Sequence, residues 1–134
     1  MIVSLLLILL LFSLFMVDEK DSSVMNERTI EISEEEFQAF LNLESKKIHK
    51  IRYYYDYNGR TAEIDVFQAK LKGLVLVDFE FPTKEEKDLF EMPDFCLADV
   101  TQEEFFAGGI LCSKSYDDIE KNLEKFNYSK LLLN

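Results

Sequence analysis

Histidine and cysteine are scarce: 134 residues hold one His and two Cys. Imidazole and thiolate metal centres need such ligands in sets at short spacings. No second His or Cys stands at ligand spacing from His49, which reads as a packed or surface imidazole. Positive charge is also short, with 15 Lys and Arg against 26 Asp and Glu and a net charge of -11. Because nucleic-acid backbones are held by clustered Lys and Arg, nucleic acid is excluded as a partner. The length admits one domain at most, with a modest core.

The N-terminus lacks charge altogether. Ile2 to Val17 is an uncharged, almost wholly apolar run. As a helix it reaches about 24 Å, short of the roughly 30 Å hydrocarbon core unless its flanks snorkel or the bilayer thins. No Lys or Arg precedes it and no small-x-small site follows, which speaks against a secretory signal. Residues 1–17 are read first as an N-terminal hydrophobic helix, a leader or membrane anchor, with a signal peptide as the second account. Residues 18–26 read as a linker. Too few positive charges flank the run to assign an orientation.

The stretch from Ile48 to Phe81 is denser in pattern. It holds three strand-like runs, Ile48 to Tyr57, Arg60 to Phe67 and Leu74 to Phe81. Side chains alternate faces along a strand, so Lys50 and Arg52 share a face, as do Glu63 and Asp65, and Asp78 and Glu80. The opposite faces carry Ile51, Tyr53, Tyr55 and Tyr57; Ala62, Ile64 and Val66; and Val75, Val77, Phe79 and Phe81. Tyr53-Tyr54-Tyr55 alternates with the rest and is strand chemistry rather than a stacking platform for bases.

Asn58-Gly59 fixes the register. Both central residues of a type I′ turn need positive φ, and Asn-Gly is the strongest short signal for it. A two-residue loop pairs Tyr57 with Arg60, which sets Tyr54 opposite Glu63 and Arg52 opposite Asp65. A slip of one residue would place carboxylates on the tyrosine face.

Two readings of the charged face follow. It is the solvated side of a half-exposed antiparallel sheet, or it is a site for a polyanion and its metal. Phosphate oxygens are suited to Lys and Arg, and hard divalent cations to carboxylate oxygens. A polyphosphate gives both signs a reason to share one surface.

At these residues the chain resembles the second half of the CYTH domain, the triphosphate tunnel metalloenzyme fold. The resemblance is carried by Lys50-x-Arg52-Tyr53, the hairpin, Glu63-Ile64-Asp65-Val66-Phe67 and Gly73-Leu74-Val75-Leu76 followed by Glu80-Phe81-Pro82, with Asp99-Val100-Thr101 near its end. It runs from about Asn26 to about Ser113. It implies an α+β fold in which an antiparallel sheet forms part of an eight-stranded tunnel barrel with flanking helices. It also implies that Lys50 and Arg52, with Arg28 as a further basic group, bind a triphosphate-containing small molecule. Glu63, Asp65, Asp78 and Glu80 would hold Mg²⁺ or Mn²⁺. The implied reaction is metal-assisted attack of water on the terminal phosphoryl group of inorganic, nucleoside or thiamine triphosphate, although some members of the family cyclise ATP. The family's cytosolic character leaves Cys96 and Cys112 as free thiols.

The family's opening Glu-x-Glu-x-Lys strand has no counterpart in this chain. The domain is therefore read as partial, residues 27–112, followed by a helical tail, 113–134. A truncated or frame-shifted start is a third account of the leader. Three functional hypotheses follow: an enzyme completed by a homodimer or second chain, a membrane-tethered module that binds phosphorylated ligands without turnover, and an incomplete gene product. The location is the membrane if the leader is an anchor, and the cytoplasm otherwise.

Around the sheet, Arg28 to Ile32 makes a short strand. Ser33 and Glu36 form a capping box that opens a helix to about Leu43, with Phe37, Phe40 and Leu41 on one stripe. Glu34, Glu35 and Glu36 complement that helix start rather than bind metal. Thr83 to Glu86 repeats the pattern for a short helix ending near Phe90. Gln102 to Cys112 is expected to return a last strand, weakened by Gly108-Gly109. Ser115 caps a final helix with Ile119, Leu123 and Phe126 on its buried face, and the tail from Lys130 either continues it or hangs free.

Overall fold

Asn58 and Gly59 stand at φ 53° and 79°, the type I′ geometry that matches the twist of two antiparallel strands. The Asp56 carboxylate closes the turn by accepting from the Gly59 amide at 3.1 Å. The computed structural model describes residues 11–17, 25–42 and 46–132, with side chains described from residue 30 onward except Leu41. Around this turn β3 (Lys50–Tyr57) pairs with β4 (Arg60–Phe67), Tyr57 opposite Arg60, Tyr54 opposite Glu63 and Arg52 opposite Asp65. That is the register predicted from the turn. On the other side of β4 lies β5 (Val75–Phe79), with Glu63 opposite Asp78 and Asp65 opposite Leu76. Beyond Phe79 the ladder stops, and the Glu80 carbonyl accepts from Arg60 Nη1 at 3.0 Å.

The chain divides into two units, Met1–Ile48 with Val100–Ser113, and His49–Asp99 with Lys114–Asn134. In the second unit, β3, β4 and β5 form a three-stranded antiparallel sheet in that order. The link from β4 to β5 turns through a 3₁₀ segment, Ala69–Leu71. It then passes Gly73 at φ 109°, where a Cβ would stand 2.2 Å from Lys130 Cγ. Phe67, Leu71, Leu74, Tyr116, Ile119 and Leu123 are each at most 4% exposed and make the apolar interior of this unit. The other sheet face carries rings in edge contact, Tyr57 with Phe79 and Phe95, and Phe81 with Phe90.

The helices of this unit begin where side-chain caps predict. Thr83 Oγ1 accepts from the Glu86 amide at 3.2 Å and opens α2 (Lys84–Asp88). The Glu86 carboxylate accepts from Arg60 Nη2 at 2.8 Å. A full capping box of Ser115 and Asp118 opens α4 (Tyr116–Glu124), which buries Tyr116, Ile119 and Leu123 while Phe126 is half-buried. The described part of the tail, through Leu132, neither continues the helix nor hangs free. Tyr128 Oη accepts from the Val75 amide at 2.9 Å and donates to the Gly73 carbonyl at 2.8 Å, and the Leu131 amide donates to the same carbonyl at 2.9 Å. These bonds occupy the start of β5 on its side away from β4, a backbone edge that would otherwise be open to pairing.

The first unit departs further from the sequence expectation. Leu11–Val17 is a strand, β1, paired with β2 (Met25–Glu31), Leu14 opposite Arg28. The hydrophobic helix expected over 1–17 is thus replaced by β-structure in its described part. Periodicity alone does not separate a helix from a strand in a short apolar run, and here a partner strand follows closely. Among the described residues no helix is long and apolar enough to cross a membrane. Residues 1–10 of the expected anchor and 18–24 of the expected linker lie outside the described residues, while 25 and 26 of that linker already belong to β2. A reciprocal box of Ser33 and Glu36 opens the next helix, α1 (Glu34–Leu41), on which Phe37 is half-buried and Phe40 is 39% exposed.

The strand expected over Gln102 to Cys112 is instead a 3₁₀ turn, Glu104–Phe106, and a short helix, α3 (Gly108–Leu111). Its amides find carbonyls three or four residues back, such as Phe106 to Glu103 and Leu111 to Ala107. Gly108 and Gly109 bring no side chain that a strand could pack. Cys96 and Cys112 are both free. The architecture is α+β with a three-stranded antiparallel sheet and helices, and among the described residues no barrel closes.

Candidate functional site

Alternation along β3, β4 and β5 delivers Lys50, Arg52, Glu63, Asp65 and Asp78 to one face of the sheet. There the cations converge on Asp65. Arg52 Nε donates to Asp65 Oδ1 at 2.6 Å and Arg52 Nη2 to Oδ2 at 2.8 Å, a bidentate fork, and Lys50 Nζ donates to the same Oδ2. Arg52 Nη1 donates to Glu63 Oε2, and Nη2 lies 3.7 Å from Asp78 Oδ2. Lys50 Nζ also stands 6.0 Å from the centre of the Phe67 ring. Burial grades the acids steeply: Asp65 is 1% exposed, while the Asp78 side chain is 57% exposed and Glu80 lies at the surface.

The charges bias one another. The hydrogen bond to Asp65, and then the charges of Asp65, Glu63 and Asp78, hold the Arg52 proton more tightly than usual despite burial. Burial first, then repulsion from Glu80, Asp78 and Asp65, raises the Glu63 carboxyl above its ordinary 4.5, although Arg52 pulls the other way. A carboxyl raised in the folded state binds its proton better there than when unfolded. Its contribution is therefore full below the ordinary value and is lost as pH rises through the raised one. The stability of Glu63→Gln relative to the wild type is expected to rise from about pH 4 to about pH 7. Denaturant midpoints at the two pH values check this, and a difference independent of pH would refute it.

In chemistry, the donors suit a hard divalent cation such as Mg²⁺ or Mn²⁺: carboxylates that repel each other at Glu63 gain from a positive charge between them. In geometry they are dispersed, and among the described residues no group of three or more His, Cys, Asp or Glu could hold an ion. Asp65 already spends both oxygens on Arg52 and Lys50. Of the other acids, Glu63 accepts from Arg52 Nη1, Asp78 stands 3.7 Å from Arg52 Nη2, and Glu80 is exposed. Arg28 stands on β2 in the first unit.

Sequence reasoning missed Arg60. It donates to Glu80 O and to Glu86, with its guanidinium 4.7 Å from the centre of the Phe81 ring. It therefore anchors the segment that carries Glu80. The available signal was parity, since counting from the turn places Arg60 on the aromatic face, away from Arg52.

No family model matches the chain, and no solved structure matches it. The chain is similar to a curated inorganic triphosphatase of Acetivibrio thermocellus, 30% identical over 78 residues, which are 58% of this chain and 49% of that protein. It thus spans about half the length of that relative.

Proposed function

We propose that the charged face of β3, β4 and β5 binds the triphosphate group of a small molecule together with a divalent cation, as one wall of a CYTH-type site. The chemistry is then that of a triphosphatase-type phosphohydrolase. One observation carries the reading: Lys50 and Arg52 are gathered with Asp65, Glu63 and Asp78 on a single sheet face. The partial similarity to an inorganic triphosphatase supports the same ligand class.

Lys50 and Arg52 hold phosphoryl oxygens through N–H groups not spent on Asp65. Of the acids, Glu63, Asp78 and Glu80 are those left with donor chemistry that suits Mg²⁺ or Mn²⁺, and such a cation would supply neutralisation of phosphoryl charge. Positioning and electrostatic complementarity carry most of phosphoryl transfer, and a sheet-borne set of cations supplies both.

Calorimetry with inorganic triphosphate, with and without Mg²⁺, is expected to show one site, and a phosphate-release assay to show Mg²⁺-dependent turnover. Binding without release would reduce the function to a phosphate-ligand module. No binding at all would refute the reading.

A further inference from the structure

We infer that Asp65 is a positioning residue rather than a cation ligand: it holds Lys50 and Arg52 side by side so that their remaining N–H groups meet phosphoryl oxygens. The inference rests on the triphosphate reading and divides labour among the four acids that sequence alone treats alike. Asp65 Oδ1 accepts from Arg52 Nε, and Oδ2 accepts from both Arg52 Nη2 and Lys50 Nζ. At 1% exposure the carboxylate has almost no surface from which an ion could approach. A divalent cation on it would also have to sit against two positive charges already bound there. The cations, in contrast, keep 29% (Lys50) and 25% (Arg52) of their side-chain surface in solvent.

The donor inventory favours the same division. Arg52 gives its Nε–H and one Nη2–H to Asp65 and one Nη1–H to Glu63, which leaves an N–H on each terminal nitrogen. Lys50 gives one N–H to Asp65 and retains the others. A guanidinium held at its Nε edge cannot swing, so its outer donors are fixed relative to the ammonium group of Lys50. Such fixing matters for an anion with several oxygens, because less freedom is lost when it binds. Asp78, whose side chain is 57% exposed, and Glu80, also exposed, face the solvent from which a cation would arrive.

The test compares the wild-type chain, Asp65→Asn and Asp78→Asn by calorimetry with inorganic triphosphate and, separately, with Mg²⁺. In parallel, Mg²⁺ is titrated into the ¹³C-labelled wild-type chain while side-chain carboxyl signals are followed by NMR. Asp65→Asn is expected to weaken triphosphate binding about 10- to 100-fold, the size of a lost charge-assisted contact, with Mg²⁺ affinity within about twofold of wild type. Asp78→Asn should weaken Mg²⁺ more than triphosphate, and Mg²⁺ should move the Glu63 and Asp78 signals but leave that of Asp65 in place. A shift of the Asp65 signal with Mg²⁺, or unchanged triphosphate affinity in Asp65→Asn, overturns the inference and leaves the triphosphate reading standing. If Asp65→Asn does not fold, the wild-type Mg²⁺ titration decides. A wild-type chain that binds no triphosphate removes the underlying reading and this role with it.

Discussion

Arg52→Ala is expected to weaken triphosphate binding at least about 100-fold, and to cost about 3 kcal/mol of folding stability, the scale for removing one partner of a buried ion pair. Both losses have one origin. The Arg52 side chain supplies two of the three hydrogen bonds to Asp65 and the bond to Glu63. Without it, a carboxylate that is 1% exposed keeps only Lys50. Glu63 loses the one attraction that opposes burial and the charges of Glu80, Asp78 and Asp65, so its carboxyl rises further. The stability loss should therefore shrink as pH falls toward the carboxylate range, where protonation relieves the stranded Glu63. Arg52→Lys keeps a charge but not the planar fork, and should recover part of the stability and little of the affinity. Urea denaturation at two pH values and triphosphate calorimetry separate the two effects. A variant as stable as wild type would show that the pairing with Asp65 contributes nothing net.

The sequence was informative wherever the controlling interaction is local. Asn58-Gly59 fixed the turn, the turn fixed which residues oppose each other, and alternation then assigned each side chain of β3, β4 and β5 to a face. The boxes of Ser33 with Glu36 and Ser115 with Asp118 marked helix starts for the same reason, since both partners lie within one turn. What alternation does not give is depth. Asp65 shares its face with Glu63 and with Phe67, yet Phe67 is 3% exposed, so one end of the supposedly solvated face is closed over. That is why Asp65 is a buried hub while Asp78, two residues past Leu76, the residue opposite Asp65, is open to water. Contacts between distant segments were equally hidden: Tyr128 lies 53 residues from Val75, and no spacing announces its hydroxyl as the partner of that amide. The apolar run at Leu11–Val17 misled because hydrophobicity says that a segment avoids water, not which backbone pairing it uses to do so.

Leu123→Ala should cost about 3 kcal/mol, within the range for a large-to-small change at a buried leucine, and should leave the charged face chemically intact. Leu123 is 1% exposed and completes the α4 stripe with Tyr116 and Ile119, each 3% exposed. Five residues on, Tyr128 bonds to Val75 and Gly73 at the beginning of β5. A cavity under α4 therefore loosens the support of β5 without removing any donor to Asp65. The two variants consequently differ under ligand. A bound triphosphate at about 100 times its dissociation constant adds about 2.7 kcal/mol to the folded state. That nearly restores Leu123→Ala, whose site is whole, but cannot restore Arg52→Ala, whose site is gone. Thermal melts of both variants with and without triphosphate and Mg²⁺ read this directly. Rescue of both, or of neither, would mean that the charged face of β3, β4 and β5 is not where the anion binds.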